Sequence, residues 1–269
     1  KIVIEDDLVT EITGDEVSEE NFGEVFDGTG MVAMPGMTDA HVHMGCLFAK
    51  GEFPVDYSTV LTVAKCKDAL MAGFTTFRDA GSVSEGLKLA FDEGVLPGPR
   101  IYPCGAYISQ TCGHGDSEYA HTYRDIQYRH PSSTVLADGV PEIIRAVREQ
   151  FYRGASHIKL MATEILNRHE DIRLLFGTDM MITGPDYQVE QSEDIRYYEK
   201  RFGTMRALRA LTGTANEVFA LTTYQNPYPK GKIGVLEAGS YADLLLVDGD
   251  PTKSVLVLAD TDHLRLIMK

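Results

Sequence analysis

The chain has 269 residues, 43% of them hydrophobic, enough to bury a barrel-sized core plus a small appendage. Forty acidic against 25 basic residues give a formal charge of −15, which argues against nucleic-acid and anionic-membrane partners and leaves a small molecule as the expected one. No apolar run approaches the roughly 20 residues of a membrane helix and no signal peptide is legible. The sequence opens at Lys1 in what reads as mid-strand, so a soluble protein of the cytoplasm and an exported one both stay open, as does a homo-oligomer.

In chain order, residues 1–33 alternate apolar and polar positions, with Ile2, Ile4, Val9 and Ile12 as the apolar set, and read as short β strands. The next strand, between Pro35-Gly36 and Gly45, carries His41 and His43. Two residues apart on a strand, they project from one face and can close on a single ion, and imidazole is a common ligand for zinc and its neighbours. A helix over 57–72 stops at Gly73 and is followed by the strand Phe74 to Phe77. Leu87, Ala90 and Phe91 mark a second helix, ending at Gly94, before the strand Arg100 to Tyr102. Pro141 opens a third helix, closed by Gly154, and His157 to Met161 is the strand after it.

Such alternation indicates a parallel sheet with crossover helices, an α/β class whose natural form at this size is a (β/α)₈ barrel with its active site at the C-terminal strand ends. Thr214 and Glu217 make a capping box for a late helix bearing Val218 and Leu221. Residues 231–269 return to short strands, at Ile233 and Val235, Leu244 to Val247, and Leu264 to Met268. The expected division is a small β domain from 1–33 and 231–269 around a barrel over 34–230. Cys46, Cys66, Cys104 and Cys112 lack metal or redox spacing and read as free thiols, with a Cys104–Cys112 pair left open.

The stretch Met34-Pro-Gly-Met-Thr-Asp-Ala-His-Val-His-Met-Gly45 resembles the opening strand of the amidohydrolase superfamily. Four further segments, in the same order, resemble its imidazolonepropionase-like branch, which holds Xaa-Pro and Xaa-Arg/Lys dipeptidases of prolidase type and ochratoxin-type amidases. They are Gly73 to Asp79, Gly98 to Ile101 with Gly113 to Asp116, Gly154 to Thr163, and Phe176 to Asp179. Gly234 to Asp250 looks like the closing β segment, and the resemblance also implies a small β domain built from both ends.

The resemblance makes Lys159 the end of strand four and Asp179 the end of strand eight. Only residues 160–178, 19 in number, then lie between them, whereas one βαβ unit needs about 30 or more. Three strands and their helices cannot fit. A further segment of about 100 residues is therefore expected near 163/164, by the same arithmetic.

A lysine pointing into a barrel is expensive unless its charge is removed or paired. The resemblance implies that carbon dioxide turns Lys159 into a carbamate bridging two divalent metal ions, zinc being the expected metal; a salt-bridged lysine is the plain alternative. His157, on the same face, reads as a packed histidine. Asp179 looks like the strand-eight aspartate, able to hold a metal with one oxygen and shuttle a proton with the other, or else a helix N-cap. His114, in a glycine-rich loop, either binds a substrate carboxylate, as the resemblance suggests, or bonds to backbone. Arg78-Asp79 reads as a structural pair beneath the site. The family's strand-five and strand-six histidines have no counterpart among the eight histidines.

The function these signs imply is metal-dependent hydrolysis of an amide C–N bond in a dipeptide or N-acyl amino acid by metal-activated hydroxide. Cyclic amide or lactone hydrolysis and deamination are alternatives within the superfamily. A barrel that has lost its metals and its activity is the alternative outside it.

Overall fold

The opening alternation closes into a hairpin. Strand β1 (Ile2–Glu5) pairs antiparallel with β2 (Leu8–Ile12) across a turn in which Asp6 takes a φ of 54°. The hairpin is tied to the far end of the sequence: Val9 N donates to Ser240 O at 2.9 Å and Ala242 N to Asp7 O at 2.9 Å. The computed structural model describes residues 1–15, 22–44, 55–81, 85–113, 115–116, 134–161, 173–181 and 187–269.

Gly36 separates two strands with different partners. Before it lies β3 (Val32–Pro35); after it, β4 (Met37–His43) runs parallel to β5 (Phe74–Asp79). A Cβ on Gly36 would lie 2.1 Å from Thr75 Oγ1, so only glycine lets the chain pass this close to β5. Helix α1 (Val55–Met71) makes the crossover, and α2 (Glu85–Asp92) leads to β6 (Arg100–Tyr102), which pairs parallel with β5. These elements fall where the apolar spacing places them.

Beyond them, β7 (Tyr107–Ser109) pairs parallel with β8 (Thr134–Leu136) and, across helix α3 (Val140–Tyr152), with β9 (Leu160–Met161). The strand expected from His157 is thus shorter, although Ile108 N still donates to Lys159 O at 2.9 Å. Strand β10 (Met180–Met181) then returns to lie parallel to β4, opposite Val42 and His43. Among the described residues the parallel strands form two sheets, β10-β4-β5-β6 and β8-β7-β9, rather than one closed ring of eight. The expected junction near 163/164 lies outside the described residues, as does Cys46.

Three helices follow, α4 (Tyr187–Phe202), α5 (Thr204–Leu211) and α6 (Gly213–Phe219). The capping box fails. Thr214 sits inside α6, whose N-cap is Thr212, and no side chain caps the helix. Thr212 Oγ1 instead donates back to Leu208 O at 2.8 Å, and Glu217 accepts from Arg173 Nε at 3.1 Å. Leu221 lies beyond the helix and is exposed. Strand β11 (Leu244–Val247) pairs antiparallel with both β3 and β12 (Leu264–Met268). Ile233 and Val235 form no strand, their stretch contributing only a bridge between Lys232 and Ser240. Cys66, Cys104 and Cys112 are free thiols. Among the described residues no helix is long and apolar enough to cross a membrane.

The main core joins Met37, Val42, Phe74, Phe77, Ile101, Phe176, Tyr187 and Ile195, with Phe74 stacked on Phe176 at 5.6 Å. A second cluster centres on Tyr102 stacked on Phe219 at 3.8 Å, with Tyr228 and Tyr241 beside it. Between the two, Arg100 Nε reaches both oxygens of the buried Asp243 carboxylate, at 2.8 and 3.1 Å, with its guanidinium 4.1 Å from the Tyr241 ring.

On α4, burial and the neighbouring Glu190 and Glu193 push the half-buried Asp194 carboxyl up to about 6 from 3.8. A carboxyl raised on folding favours the folded state fully below pH 3.8, and that contribution is lost as pH rises through about 6. Asp194→Asn is therefore expected to be more stable than the wild type at pH 7–8, by no more than about 1 kcal/mol for so exposed a group. The gain shrinks as pH falls through 6 and vanishes below 4. Thermal unfolding across that pH range measures it.

Candidate metal centre

On β4, Asp39, His41 and His43 stand at alternate positions and share a face. Pairing with β5 shifts register between Asp39 and Val42, so the His41 N–H bonds instead to Asp39 Oδ1 at 3.1 Å. On the other side, residues 176–179 run along β4: Ala40 N donates to Phe176 O at 2.8 Å and Asp179 N to His41 O at 2.7 Å. This contact needs Gly177, where a Cβ would fall 2.7 Å from His41 Cβ. Gly177→Ala is expected to push the two strands apart, costing about 1–3 kcal/mol and part of the bound metal. Thermal unfolding paired with elemental analysis tests both effects.

Asp179 takes a left-handed φ of 56°, which brings its Oδ1 to 3.3 Å from His41 Nε2 and to 3.3 Å from His43 Nε2. The donor atoms of the three residues all lie within 4.8 Å of one another. Ligands about 2.0–2.1 Å from one tetrahedral zinc stand roughly 3.3 Å apart, so the two histidine–aspartate separations suit a single ion of that kind. His43 is buried, His41 half-buried, and the Asp179 side chain 74% exposed, which leaves the centre open on the aspartate side.

Lys159 reaches the same point from the end of the second sheet, its Nζ 2.9 Å from His41 Nε2. Burial pushes the Lys159 amine below its usual 10.5, against the pull of the Asp179 carboxylate. Burial, with the Lys159 charge second, likewise holds His41 below 6.5. Both shifts favour neutral nitrogen, the form that binds a cation or attacks carbon dioxide.

His157 is not among the converging residues. Its Nδ1 meets Ser156 Oγ at 3.0 Å, and burial pushes its imidazole down to about 3. With Arg78, Tyr102, Phe151 and Phe219 it lines a cavity of about 330 Å³. Arg78 donates to Ala40 O at 3.2 Å, which ties the end of β5 to β4. His114 lies outside the described residues; beside it, Asp116 accepts from Cys112 N at 2.8 Å.

Sequence reasoning gave no role to Asp39, although it stands two places before His41, and did not single out Thr178 or Tyr187. Asp39 is wholly buried and accepts from Thr178 Oγ1 at 2.7 Å, Tyr187 OH at 3.0 Å and Thr178 N at 3.2 Å, besides His41 N. Burial pushes its carboxyl up to about 6, against the pull of these four bonds.

The amidohydrolase family model matches residues 32–170. Ochratoxinase of Aspergillus niger is 34% identical over 152 residues, covering 49% of this chain and 31% of that protein. The match thus takes in only about a third of the curated relative's length. Among solved structures, an amidohydrolase superposes with a TM-score of 0.85 at 22% identity, covering 100% of this chain and 92% of the other. A prolidase complexed with N-methylphosphonate-L-proline gives 0.78 at 20% identity, with coverage of 100% and 92%. The ochratoxinase structure gives 0.71 at 19%, with coverage of 100% and 89%.

Proposed function

This chain belongs to the amidohydrolase family, and from that premise we propose that it is a metal-dependent hydrolase cleaving the amide C–N bond of a dipeptide or N-acyl amino acid. The observation that carries the reading is the convergence of His41, His43 and Asp179 on one point beside Lys159. The relatives named prolidase and ochratoxinase favour this substrate class over a cyclic amide, a lactone or a deaminase substrate.

His41, His43 and Asp179 would hold one divalent cation, zinc in this reading. Lys159 would help to hold a second cation once its neutral amine has added to carbon dioxide, forming the N–C bond of a carbamate and releasing one proton. When bound, the cations would lower the pKa of water toward about 7 and polarise the substrate carbonyl. Asp179 turns one oxygen to both imidazoles, and its other oxygen takes a proton from the attacking water. As the new C–O bond forms and the C–N bond breaks, Asp179 passes that proton to the leaving nitrogen. His114 would bind the carboxylate of the substrate on the leaving-group side.

In the intact protein we place these residues at the strand ends of a (β/α)₈ barrel over 34–230, with 1–33 and 231–269 as the small β domain. The neighbouring positions of β4 and β10, first and last of the parallel strands, favour a ring. A further segment near 163/164 would bring the remaining strands and the histidines for the second cation. Exposed Leu221, which lines the 330 Å³ cavity, offers apolar surface for it to cover.

The test is elemental analysis and intact mass of protein purified without chelator, followed by hydrolysis of dipeptide and N-acyl amino acid panels. About two zinc-like ions per chain, and activity that chelation abolishes and zinc with bicarbonate restores, are the expected results. Metal-free protein that hydrolyses neither panel would leave the non-catalytic barrel as the better reading. Restoration by zinc that is indifferent to bicarbonate would remove the carbamate on Lys159, and one bound ion with neither panel cleaved would favour a single-metal deaminase.

A further inference from the structure

We propose that Asp39, Thr178 and Tyr187 form a clamp that positions Asp179, and that the Tyr187 hydroxyl, on a helix outside the metal centre, sets how tightly that centre holds a divalent cation. The inference rests on the metal-centre reading above and goes beyond it by assigning work to residues that touch neither metal nor substrate.

The need for a clamp comes from the backbone. Asp179 is a non-glycine residue at φ 56°, a conformation that L-residues leave unless their neighbours hold them. The backbone bond from Asp179 N to His41 O, at 2.7 Å, ties the turn to β4 but leaves the carboxylate's direction to the peptides on either side. The buried Asp39 carboxylate fixes the peptides around it. Oδ1 takes the N–H of Thr178, before Asp179, and the N–H of His41, opposite it. Oδ2 takes the Thr178 hydroxyl, which in turn accepts from Met180 N at 3.2 Å, just after Asp179. One carboxylate therefore holds both flanks of the turn and the strand that bears the two histidines.

Tyr187 supplies the fourth donor. Its hydroxyl reaches Asp39 Oδ2 at 3.0 Å, while its ring is packed edge-on to Phe74 at 5.3 Å and tilted against Phe77 at 6.0 Å. It is the clamp's one member from a helix, and it ties α4 to the centre. Without that donor, Oδ2 is left to the Thr178 hydroxyl alone in a site closed to water. Asp39 then rotates to recover a partner and frees the Asp179 turn.

Tyr187→Phe deletes the donor and keeps the ring. The experiment is titration of the metal-free protein with Co²⁺ in competition with a chelating indicator, together with the visible spectrum of the cobalt-loaded protein. Tyr187→Phe is expected to bind Co²⁺ at least about 10-fold more weakly, the lower end of what losing an outer hydrogen bond to a metal site costs, with a changed ligand-field spectrum. Thr178→Ser, which keeps the hydroxyl, should match the wild type, and Thr178→Val should behave like Tyr187→Phe. Wild-type affinity and an unaltered spectrum in Tyr187→Phe would overturn the clamp, whatever its melting temperature. Should that variant fail to fold, equal cobalt affinity in the Thr178→Ser and Thr178→Val proteins would overturn it instead. A wild type that binds no Co²⁺ at all would end the metal-centre reading itself and the clamp with it, a result distinct from either.

Discussion

Asp179→Asn is expected to lower kcat by about 10²–10⁴-fold, the usual weight of a positioned proton-transfer group, while leaving the fold in place. The substitution is chosen for its backbone. Asparagine tolerates the left-handed region as well as aspartate does, so φ 56° carries over without new strain. The side chain is 74% exposed, and substitutions at such sites usually move stability by no more than about 0.5 kcal/mol. An amide oxygen can still face His41 and His43, but it cannot take a proton from water at neutral pH. Steady-state kinetics with the best substrate of the panel, run beside thermal unfolding, separates the two effects. A kcat unchanged within a factor of a few would remove Asp179 from the proton pathway.

The second large effect is on stability. Phe176→Ala should cost about 3–5 kcal/mol, the range for emptying a buried aromatic site, and lower the melting temperature by roughly 5–10 °C. Phe176 is wholly buried, stacked on Phe74 and tilted against Tyr198 at 4.9 Å. Its backbone bonds both ways, from Ala40 N and to Ala210 O, so the ring anchors the segment that ends in Asp179. Tyr198 cannot relax freely into the space, because its hydroxyl is held by Leu175 O at 2.9 Å. Phe176→Leu should recover more than half of the loss, and calorimetry of the three proteins compares them directly. A fall under 1 kcal/mol in the alanine variant would mean that the core does not rest on this ring.

Local signals account for the parts of the fold that were legible in the sequence. Strands β4, β5 and β6 and helices α1 to α3 are bounded by Gly36, Gly73, Gly94, Pro141 and Gly154, whereas burial is less legible: β4 and β5 are buried on both faces, and α1 turns Ser58, Thr62, Cys66 and Ala69 inward and leaves Val60 exposed. Helix α4 was not foreseen. It buries only Tyr187, Gln191 and Ile195 along a mostly polar 16 residues, too thin a stripe to read. The Thr214 capping box failed because the chain turns from α5 into α6 two residues earlier, at Thr212, leaving Thr214 within the helix.

At the metal centre, the His41 and His43 pair could be read from strand periodicity alone. The approach of Lys159 and Asp179 could not, since they come from 118 and 138 positions beyond His41. Asp39 lay in plain view, but its partners Thr178 and Tyr187 stand 139 and 148 positions away. Hydrogen bonds across such separations leave no mark on spacing.

The pairing of β3 with β11 also governs events during synthesis. Pro35 pairs with Leu244, so β3 emerges from the ribosome with its partner at least 209 codons from being read. At about 5–20 residues per second the wait is at least some ten seconds, and until it ends Val32 to Pro35 present an open strand edge. β4 next to it is already covalently committed through Gly36, so it too is held beside an unfinished sheet. Non-local closure of this sort is slow and exposes the nascent chain to association with its neighbours. Yield on expression should therefore respond more to translation speed and chaperone supply than to small changes in the stability of the finished protein.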